Sequence, residues 1–351
     1  MMLAQSIVLT GAAGFLGAAL IEELRQAHTN QLINISRLVL LDAKAISIDD
    51  QDFPFTVESH IVDIRDKPLL IPLLQHIDIV IHSASIIDWG NLPKQLLSDI
   101  NVGGTKNVIQ ACRDCQVNKL IYTSTMDVCY AGQAITDGDE RLPYPDKYED
   151  AYCQTKAAAE QLVIAANDEA LTTSVLRPCG IYGPADPYHI AESLKAVQSG
   201  ALKVRVGDGS ALFQHVYVGN VAYAHTLLLK AMLDNNTEVA GQIYLVTDDP
   251  AENFFDFLAP IMLELGFPFP SPKRYIPYRI MYVIGFIVEL VIGCIKPFKH
   301  IASPLTRSSV KMLCEDFTFK TDKAQRHFDY LPKYSKSQAF KATVDYFKAH
   351  L

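Results

Sequence analysis

Residues 6–17 read SIVLTGAAGFLG, a short apolar run that leads directly into glycines at positions 11, 14 and 17. The apolar run predicts a buried strand, and the amphipathic pattern from position 14 predicts a helix. Glycines so placed permit a tight turn, close approach of the backbone to a pyrophosphate, and close packing of helix on strand. The N–H groups and the positive dipole end of the helix would face that pyrophosphate. The stretch therefore predicts the start of a dinucleotide-binding fold.

Short apolar runs alternate with longer amphipathic stretches through the first half of the chain. This alternation predicts a parallel sheet covered on both faces. We therefore expect an α/β protein with a Rossmann-type, doubly wound parallel sheet and a smaller, discontinuous C-terminal substrate domain. The predicted strands are 6–10, 38–42, 56–62, 79–83, 120–123, 173–177 and 242–246; the predicted helices are 14–26, 101–115 and 151–167, and residues 28–36 are expected to form an extended loop.

Aspartates stand at the ends of the second and third predicted strands. Asp42 closes the run RLVLLD, where a carboxylate can accept hydrogen bonds from both ribose hydroxyls and repels a 2′-phosphate. NAD is therefore favoured over NADP, although Arg37 and Lys44 are cations that NADP could use. Asp63 and Ile64 follow the third strand and would lie near the adenine. The plain alternative for both aspartates is a solvated residue at a strand end.

After position 177, proline and glycine divide the sequence into short pieces such as RPCGIYGPADPY and GDGSALFQHVYVGN. This indicates a chain that crosses several times between the sheet and a smaller lid. We expect an NAD-binding domain at residues 1–178, with returning segments at about 214–248. Residues 179–213 and 249–351 would form the substrate domain, which includes the apolar segment 276–298.

Charge and cysteine content limit the class of protein. The 351 residues carry 39 acidic and 31 basic side chains, a net charge of −8, so no basic surface for nucleic acid is expected. Seven scattered cysteines indicate a reducing compartment rather than a disulfide framework. No basic region precedes the first apolar run, which argues against a signal peptide and favours a cytoplasmic protein. No cluster has metal-ligand spacing, so no metal is predicted.

A candidate catalytic group follows the fifth predicted strand. Tyr152 and Lys156 are spaced i, i+4 on a predicted helix, so both side chains leave the same face. Ser124 and Thr125 lie at the carboxyl edge of the sheet, where open α/β sheets bind ligands. A phenol with a pKa of about 10 is a poor base at neutral pH, and a fixed ammonium together with a positive nicotinamide ring lowers that pKa. The set suits proton removal during oxidation of a secondary alcohol to a ketone.

Asn101 opens the helical pattern NVGGTKNV. Its amide could hold a water molecule or the Lys156 ammonium beside the reacting atoms. An N-cap for its own helix is an equally good interpretation, and both can hold together.

Eight motifs occur in the order typical of the extended short-chain dehydrogenases: TGAAGFLG, VDIRD, IHSASIIDWG, DINVGGTKNVI, YTSTMDV, AYCQTKAAAE, RPCGIYGP and HVYVGNVAYAH. Over nearly the whole chain the sequence most closely resembles the 3β-hydroxysteroid dehydrogenase/Δ5-Δ4 isomerase family. The resemblance implies NAD as oxidant, a flat apolar alcohol such as a 3β-hydroxysteroid, Thr125 as partner of the substrate hydroxyl, Tyr152 as base and Lys156 as its activator. The predicted cofactor contacts are Gly11, Ala13, Gly14, Phe15, Leu16, Gly17, Asp42, Asp63, Ile64, Ser83, Ala84, Asn101, Ser124, Tyr152, Lys156, Pro178 and Ile181.

The sequence departs from this family at two sites. Ser124-Thr125 replaces the usual serine pair, and threonine keeps the hydroxyl. The family's isomerase activity is tied to a tyrosine and an aspartate near the segment VTDD, where Tyr244, Asp248 and Asp249 are present but Leu245 replaces a second tyrosine. We therefore expect isomerisation, where it occurs, to be secondary to oxidation and to depend on Asp248 or Asp249.

Other functions are compatible with the same motifs. A decarboxylating sterol-4-carboxylate 3-dehydrogenase shares the fold and catalytic set, and other extended short-chain enzymes act on flavonoid ketones or β-hydroxy acids. A non-enzymatic alternative is an NAD-sensing scaffold. NAD binding alone does not need a phenol and an ammonium, so Thr125, Tyr152 and Lys156 argue against a scaffold.

The apolar segment 280–295 has Glu289 as its only charge. As a helix its 16 residues reach about 24 Å, short of the roughly 30 Å hydrocarbon core of a bilayer. Its pattern suits a helix that lies in the membrane interface, with Lys273, Arg274 and Lys299 as positive flanks. The alternative is a helix packed on the protein's own core. A peripheral membrane contact and a homodimer are the macromolecular partners considered.

Overall fold

The computed structural model describes residues 3–48, 52–88, 92–248, 250–295 and 306–351. The strands are β1 (Gln5–Thr10), β2 (Ile35–Asp42), β3 (Thr56–Ile61), β4 (Ile79–His82), β5 (Lys119–Thr123), β6 (Ile135–Gly138), β7 (Thr172–Pro178), β8 (Gly180–Tyr182), β9 (Arg205–Val206), β10 (His215–Tyr217), β11 (Gln242–Val246), β12 (Tyr275–Ile276) and β13 (Phe317–Phe319). The α-helices are α1 (Phe15–Thr29), α2 (Lys67–Leu70), α3 (Lys94–Leu97), α4 (Thr105–Asp114), α5 (Ala151–Ala165), α6 (His189–Gln198), α7 (Val218–Leu233), α8 (Phe254–Glu264), α9 (Tyr278–Ile295), α10 (Arg307–Cys314), α11 (Asp322–Phe328) and α12 (Lys336–His350). A π-helical turn, Ser98–Gly104, precedes α4, and short 3-10 turns occupy Ile71–Leu73, Met126–Cys129 and Thr237–Val239.

Seven parallel strands form one sheet in the order β11-β7-β5-β4-β1-β2-β3. The predicted doubly wound α/β fold is therefore confirmed. Strand order reverses at β1, whose Leu9 pairs with Leu40 of β2 on one side and Ile81 of β4 on the other. Loops that leave neighbouring strands in opposite directions open a crevice at the carboxyl ends, where such sheets bind ligands.

The sheet has an apolar core on each face. Ile7 and Leu9 of β1 pack in the core that includes α1 and α7, and Val8 packs in the core beneath α4 and α5. The alternation follows from the two-residue period of a strand, and burial on both faces explains why the strand sequences are continuously apolar. The sheet therefore supplies a rigid edge on which the site is built.

Each predicted strand of this sheet is present, and the main difference lies between α1 and β2. Helix α1 continues through Thr29 and β2 begins at Ile35, so the connection is shorter than the predicted extended loop 28–36 and consists of residues 30–34. The His28 ring accepts a hydrogen bond from the backbone N–H of Ile35 at 3.0 Å, which ties the end of α1 to the start of β2. Polar residues in this stretch concealed that continuity from the sequence pattern.

Outside the large sheet, the described residues form three short parallel pairs, β8–β10, β9–β12 and β6–β13. Tyr182 of β8 packs edge-on against Phe257 of α8, and Phe257 packs against Phe340 of α12. The return of β11 to the large sheet agrees with the discontinuity expected after position 178. The division into 1–178 with 214–248, and 179–213 with 249–351, stays a prediction.

Helix α9 covers most of the apolar segment predicted at 276–298, whose last three residues lie outside the described part of the chain. One side packs on α10, where the Glu289 carboxylate accepts a hydrogen bond from the backbone N–H of Arg307 and pairs with its guanidinium, both at 2.7 Å. The opposite face is exposed, so α9 packs on the rest of the protein through one side only. The helix in the membrane interface and the helix packed on the protein's own core both stay predictions. Among the described residues, none of the helices combines the length and apolar character needed to cross a bilayer. The exposed apolar face consists of Ile280, Val283, Phe286, Ile287, Leu290 and Val291.

Candidate active site

A cavity of about 490 Å³ opens at the carboxyl ends of β1, β4, β5 and β7. The structure brings all the predicted cofactor contacts to its walls except Asn101, and it adds the predicted catalytic residue Thr125. One long cleft thus joins the glycine turn to the Tyr–Lys pair. The rest of its lining includes the apolar side chains Ile86, Ile87, Leu92, Phe213 and Met312 and the polar residues Asp127, Tyr188 and His189.

The glycine turn has the tight packing expected from its sequence. Gly11 has φ of +77°, and a Cβ there would lie 2.7 Å from the backbone nitrogen of Ala84. A Cβ on Gly17 would lie 2.2 Å from the carbonyl oxygen of Gly11, so the first turn of α1 can press against the strand end only with glycine there. Helix α1 begins after Gly14 without a side-chain cap, and its first turn lines the cavity. Its N–H groups are available to an anion.

Asp42 connects the glycine turn to the end of β2. Its Oδ2 accepts a hydrogen bond from the backbone N–H of Ala13 at 3.0 Å, and its Oδ1 accepts one from the backbone N–H of Lys44 at 2.9 Å. Each carboxylate oxygen can accept more than one hydrogen bond, so these contacts fix the group and leave acceptor capacity toward the cavity.

Asp63 lines the cavity beyond Asp42 and is paired with Arg65. The Arg65 guanidinium donates to both carboxylate oxygens, and these hydrogen bonds lower the pKa of Asp63. An exposed pair of this kind contributes little to stability, so it can open to admit a ligand.

Helix α5 carries Tyr152 and Lys156 into the cavity. Asp150 caps the helix by accepting a hydrogen bond from the backbone N–H of Cys153 at 2.7 Å, which places Tyr152 in the first turn. The Lys156 ammonium donates to the carbonyl oxygen of Thr123 at 2.6 Å rather than to Tyr152, and burial lowers its pKa to about 7. The activation of the phenol by this ammonium and a bound nicotinamide ring stays a prediction.

The Tyr152 hydroxyl makes no hydrogen bond to any other described residue. Burial, followed by the nearby carboxyl of Asp127, raises its pKa well above the ordinary value. The phenol is therefore protonated at neutral pH. Positive charge placed near the phenol would lower this pKa.

Asn101 lies within the π-helical turn and is almost fully buried, so the N-cap interpretation is wrong. Its Oδ1 accepts from the backbone N–H of Ile86 at 2.9 Å, and its Nδ2 donates to the carbonyl oxygen of Ile86 and to the Thr155 hydroxyl, each at 3.1 Å. The described partners of the Asn101 amide do not include Lys156, and the alternative that the amide holds a water molecule stays a prediction. Asn101 instead bonds to Thr155, the residue before Lys156, and so joins the loop after β4 to α5.

Sequence reasoning missed Asp127. It lies in the 3-10 turn after β5, and its Oδ2 accepts a hydrogen bond from the Thr125 hydroxyl at 2.7 Å. Its Oδ1 is buried and has no hydrogen-bond partner in the part of the chain that the structure describes, and burial raises the pKa of the carboxyl to about 6. Its position two residues after Thr125, within YTSTMDV, was the available signal.

Ser124 has a buried hydroxyl oxygen with no partner among the described residues, and it lines the cavity. An unsatisfied polar atom in a buried wall is costly unless a ligand or water meets it. This supports the expectation that the wall contacts a polar ligand.

The residues predicted to carry isomerisation lie elsewhere. The Tyr244 hydroxyl is paired with the ring of His327 at 3.0 Å, away from the cavity lining. The Asp248 carboxylate accepts from the backbone N–H of Tyr217 at 2.6 Å in a separate small pocket. Asp249 lies outside the described residues. Neither described residue meets Tyr152.

The parallel sheet, the glycine turn and the Tyr–Lys pair are features of an extended short-chain dehydrogenase. Residues 8–275 match the 3-beta hydroxysteroid dehydrogenase/isomerase family, and the chain belongs to that family. It is 33% identical, over 98% of its length, to "3beta-hydroxysteroid-dehydrogenase/decarboxylase isoform 2" from Arabidopsis thaliana, of which it spans 62%. It is 32% identical, over 99% of both chains, to a decarboxylating sterol-4-alpha-carboxylate 3-dehydrogenase from Candida albicans.

Solved structures support the fold. The chain superimposes with a TM-score of 0.73 on the dTDP-glucose 4,6-dehydratase DesIV from Streptomyces venezuelae, which was solved with NAD and TYD bound. The two are 19% identical over 98% of this chain and 97% of that one. At this identity the comparison establishes architecture alone.

Proposed function

We propose that this chain is an NAD-dependent dehydrogenase that oxidises the 3β-hydroxyl group of a sterol or steroid to a ketone. The observation that carries the proposal is that Thr125, Tyr152 and Lys156 lie on the wall of the same cavity as the glycine turn and Asp42. A phenol, an ammonium and a hydroxyl beside a dinucleotide cleft are what alcohol oxidation requires.

The residues present fit NAD. The uncapped first turn of α1 can bind the pyrophosphate, Asp42 the adenosine ribose, and Asp63 with Ile64 the adenine. The unpartnered Ser124 hydroxyl adds a polar contact farther along the cleft. When bound, NAD accepts the hydride that leaves the carbinol carbon.

In this proposal the protein's own residues handle the proton and the oxygen. Tyr152 takes the O–H proton of the alcohol, after bound positive charge has lowered the pKa that burial raises. The Lys156 ammonium, held by Thr123, adds positive charge one helical turn away from the phenol. Thr125 holds the substrate oxygen, and the apolar walls exclude water from the reacting atoms.

The apolar lining of the cavity and the relatives described above favour a sterol as the substrate. Ile86, Ile87, Leu92, Phe213 and Met312 can pack against a flat apolar ring system. A 4-carboxysterol is the substrate we favour, because the curated relatives described above are decarboxylating enzymes. Oxidation of its 3-hydroxyl yields a β-keto acid, which loses CO₂ without a further catalytic residue. Because Tyr244 and Asp248 do not reach the cavity, we do not extend the proposal to isomerisation.

We also propose that the exposed face of α9 rests on a lipid surface. The exposed cations Lys273, Arg274 and Arg279 lie just before these six large apolar side chains in the chain. Arg307 pairs with Glu289, the only charged residue within 280–295. This arrangement suits an interfacial helix on anionic lipid. A second copy of the chain is the competing occupant, and the two are separated by the experiment given in the Discussion.

Turnover on a matched set of alcohols tests the catalytic proposal. With NAD, a 4α-carboxysterol should give NADH and CO₂ in equal amounts, and a plain 3β-hydroxysteroid should give NADH alone. A long-chain β-hydroxy acid serves as the comparison substrate. Turnover on the β-hydroxy acid but not on either sterol would refute the substrate class. NAD binding without turnover on any of the three would favour the scaffold alternative.

A further inference from the structure

We infer that Asp127 sets the hydrogen-bonding direction of the Thr125 hydroxyl, so that ionisation of Asp127 weakens binding of the ketone relative to the alcohol. The inference rests on the proposed function for its choice of ligands. Asp127 is here a positioning residue that acts through Thr125.

Hydrogen bonds to Asp127 use most of the donor and acceptor capacity of the Thr125 hydroxyl. Its Oγ1 lies 2.7 Å from Oδ2 of Asp127 and accepts a hydrogen bond from the backbone N–H of Asp127 at 3.3 Å. A hydroxyl group has one proton and two acceptor sites. After the backbone contact, one proton and one acceptor site remain, to be shared between Asp127 and the substrate oxygen.

The protonation state of Asp127 decides that sharing. An ionised carboxylate only accepts, so the Thr125 proton points to Asp127 and the hydroxyl offers the cavity an acceptor. A neutral carboxyl can donate to Oγ1, and the Thr125 proton is then free to point into the cavity. The same hydroxyl is thus an acceptor in one state and a donor in the other.

Alcohol and ketone respond differently to this reversal. A ketone oxygen can only accept, so it loses its Thr125 partner when Asp127 ionises. An alcohol can donate its own proton to Thr125 and keeps a partner. A net hydrogen bond is worth about 0.5–1.5 kcal/mol, which corresponds to a factor of roughly two to ten in affinity.

The pKa of Asp127, raised by burial to about 6, places this ionisation within the working range of an enzyme. The carboxyl of Asp150, at the N-cap of α5, raises the pKa further, whereas the Thr125 hydrogen bond and His189 of α6 lower it. Bound NAD, with its positive nicotinamide ring, would lower it again. The other titratable groups that face Asp127 are the phenols of Tyr130 and Tyr152 and the thiols of Cys129, Cys153 and Cys179, all with pKa values raised by burial.

Equilibrium binding in complexes that cannot react tests the reversal. 5α-Androstane-3,17-dione would be titrated into protein saturated with NAD, and 3β-hydroxy-5α-androstan-17-one into protein saturated with NADH, with calorimetry at several pH values from about 5 to 8. We expect the Kd of the ketone to rise roughly two- to tenfold across this range while that of the alcohol does not rise. An equal rise for both ligands would overturn the inference.

Three variants isolate the Thr125–Asp127 link. Asp127→Asn cannot ionise, and Thr125→Val has no hydroxyl to reverse, so neither should show the pH-dependent rise in ketone Kd. Thr125→Ser keeps the hydroxyl and should retain it. A rise in Asp127→Asn equal to that of wild type would refute the role of Asp127.

Infrared spectroscopy of the cofactor-free protein provides a readout independent of any substrate. The carbonyl stretch of a neutral carboxyl group should disappear with a midpoint near the pKa of about 6 and be absent from Asp127→Asn. In Thr125→Val the midpoint should move upward, because the carboxylate loses its donor. An unchanged midpoint in Thr125→Val would overturn the inference even if the chain proves inactive on every steroid. If the infrared midpoints of wild type and variants behave as expected but the protein binds no steroid, the proposed function is refuted instead.

Discussion

The Nζ atom of Lys156 lies 2.6 Å from the carbonyl oxygen of Thr123, to which it donates a hydrogen bond, and 4.4 Å from the centre of the Tyr122 ring. The ammonium is thus held by the last two residues of β5. Both contacts favour the charged form, yet burial outweighs them and lowers the pKa to about 7. The folded protein therefore holds a lysine that loses its proton near neutral pH.

This lysine should make stability depend on pH. The unfolded chain keeps the Lys156 proton up to about pH 10.5, so between pH 7 and that value it binds more protons than the folded chain, and folding becomes more favourable as the pH rises. Relative to Lys156→Met, the free energy of unfolding of wild type should increase by roughly 1.4 kcal/mol per pH unit in this window. Urea titrations at three pH values measure it. A difference that stays constant with pH would contradict the assignment.

Tyr152→Phe should remove the proton acceptor and leave the cleft intact. We expect turnover to fall by about 10²–10⁴-fold with NAD affinity within about threefold of wild type. Steady-state assays and a fluorescence titration with NADH measure the two quantities. Retention of more than about a tenth of kcat would point to another base.

Asp42→Ala should weaken NAD binding and relax the discrimination against NADP. The loss has two causes, because Asp42 is the proposed ribose partner and also accepts from the Ala13 N–H in the glycine turn. Kinetics with both cofactors provide the measurement, and Asp63→Ala serves as a control that leaves the Ala13 contact in place. Equal or better efficiency of the wild type with NADP would disprove the predicted preference.

Gly17→Ala should damage the cleft without touching the Tyr–Lys pair. The new Cβ would meet the carbonyl oxygen of Gly11 at 2.2 Å, so the first turn of α1 must move away from the strand end. We expect at least a tenfold loss of NAD affinity and a lower melting temperature. Gly103→Ala is the matched control, because its nearest neighbour would be 3.9 Å away. Similar losses in both variants would contradict the geometric argument.

The α9 proposal predicts binding to anionic vesicles. Wild-type protein should float with phosphatidylserine-containing liposomes, and Val283→Lys/Ile287→Lys should not, because two charges would enter the exposed apolar face. Leu263→Lys, which alters an exposed leucine on α8, is the control and should float like wild type. The competing outcome is a wild-type protein that stays in the aqueous fraction and sediments as a dimer, together with a double variant that sediments as a monomer. That result would assign this face to a second copy of the chain.

The sheet and its glycine turn were predictable because local pattern and global fold agree there. Short, continuously apolar strands that alternate with amphipathic helices, and glycines spaced at the end of the first strand, leave few alternatives. The cavity is lined by every predicted cofactor contact but Asn101. Less was predictable where a role depends on which atom a side chain reaches. The partner of Lys156 is a backbone oxygen 33 positions away, and no sequence pattern encodes that choice.

Asp127 shows a second reason why part of the site could not be predicted from the sequence. In the sequence it is one acidic residue after a strand, a common surface feature. Only the packing of α5, α6 and the strand end around it excludes water and makes its ionisation matter. Helix α9 shows a third reason. Its sequence pattern predicted an apolar face, but not which surface would cover that face.

The placement of Asn101 bears on how natural variation in this chain should be interpreted. One amide side chain joins segments that are 15 and 54 positions distant and satisfies three groups in a nearly dry interior. Asparagine is the only side chain of this length with both a donor and an acceptor, so aspartate and leucine would each leave buried groups unpaired. A change at position 101 should therefore loosen the connection between the loop after β4 and α5, and so disturb the position of Tyr152 and Lys156 from a residue that does not line the cavity.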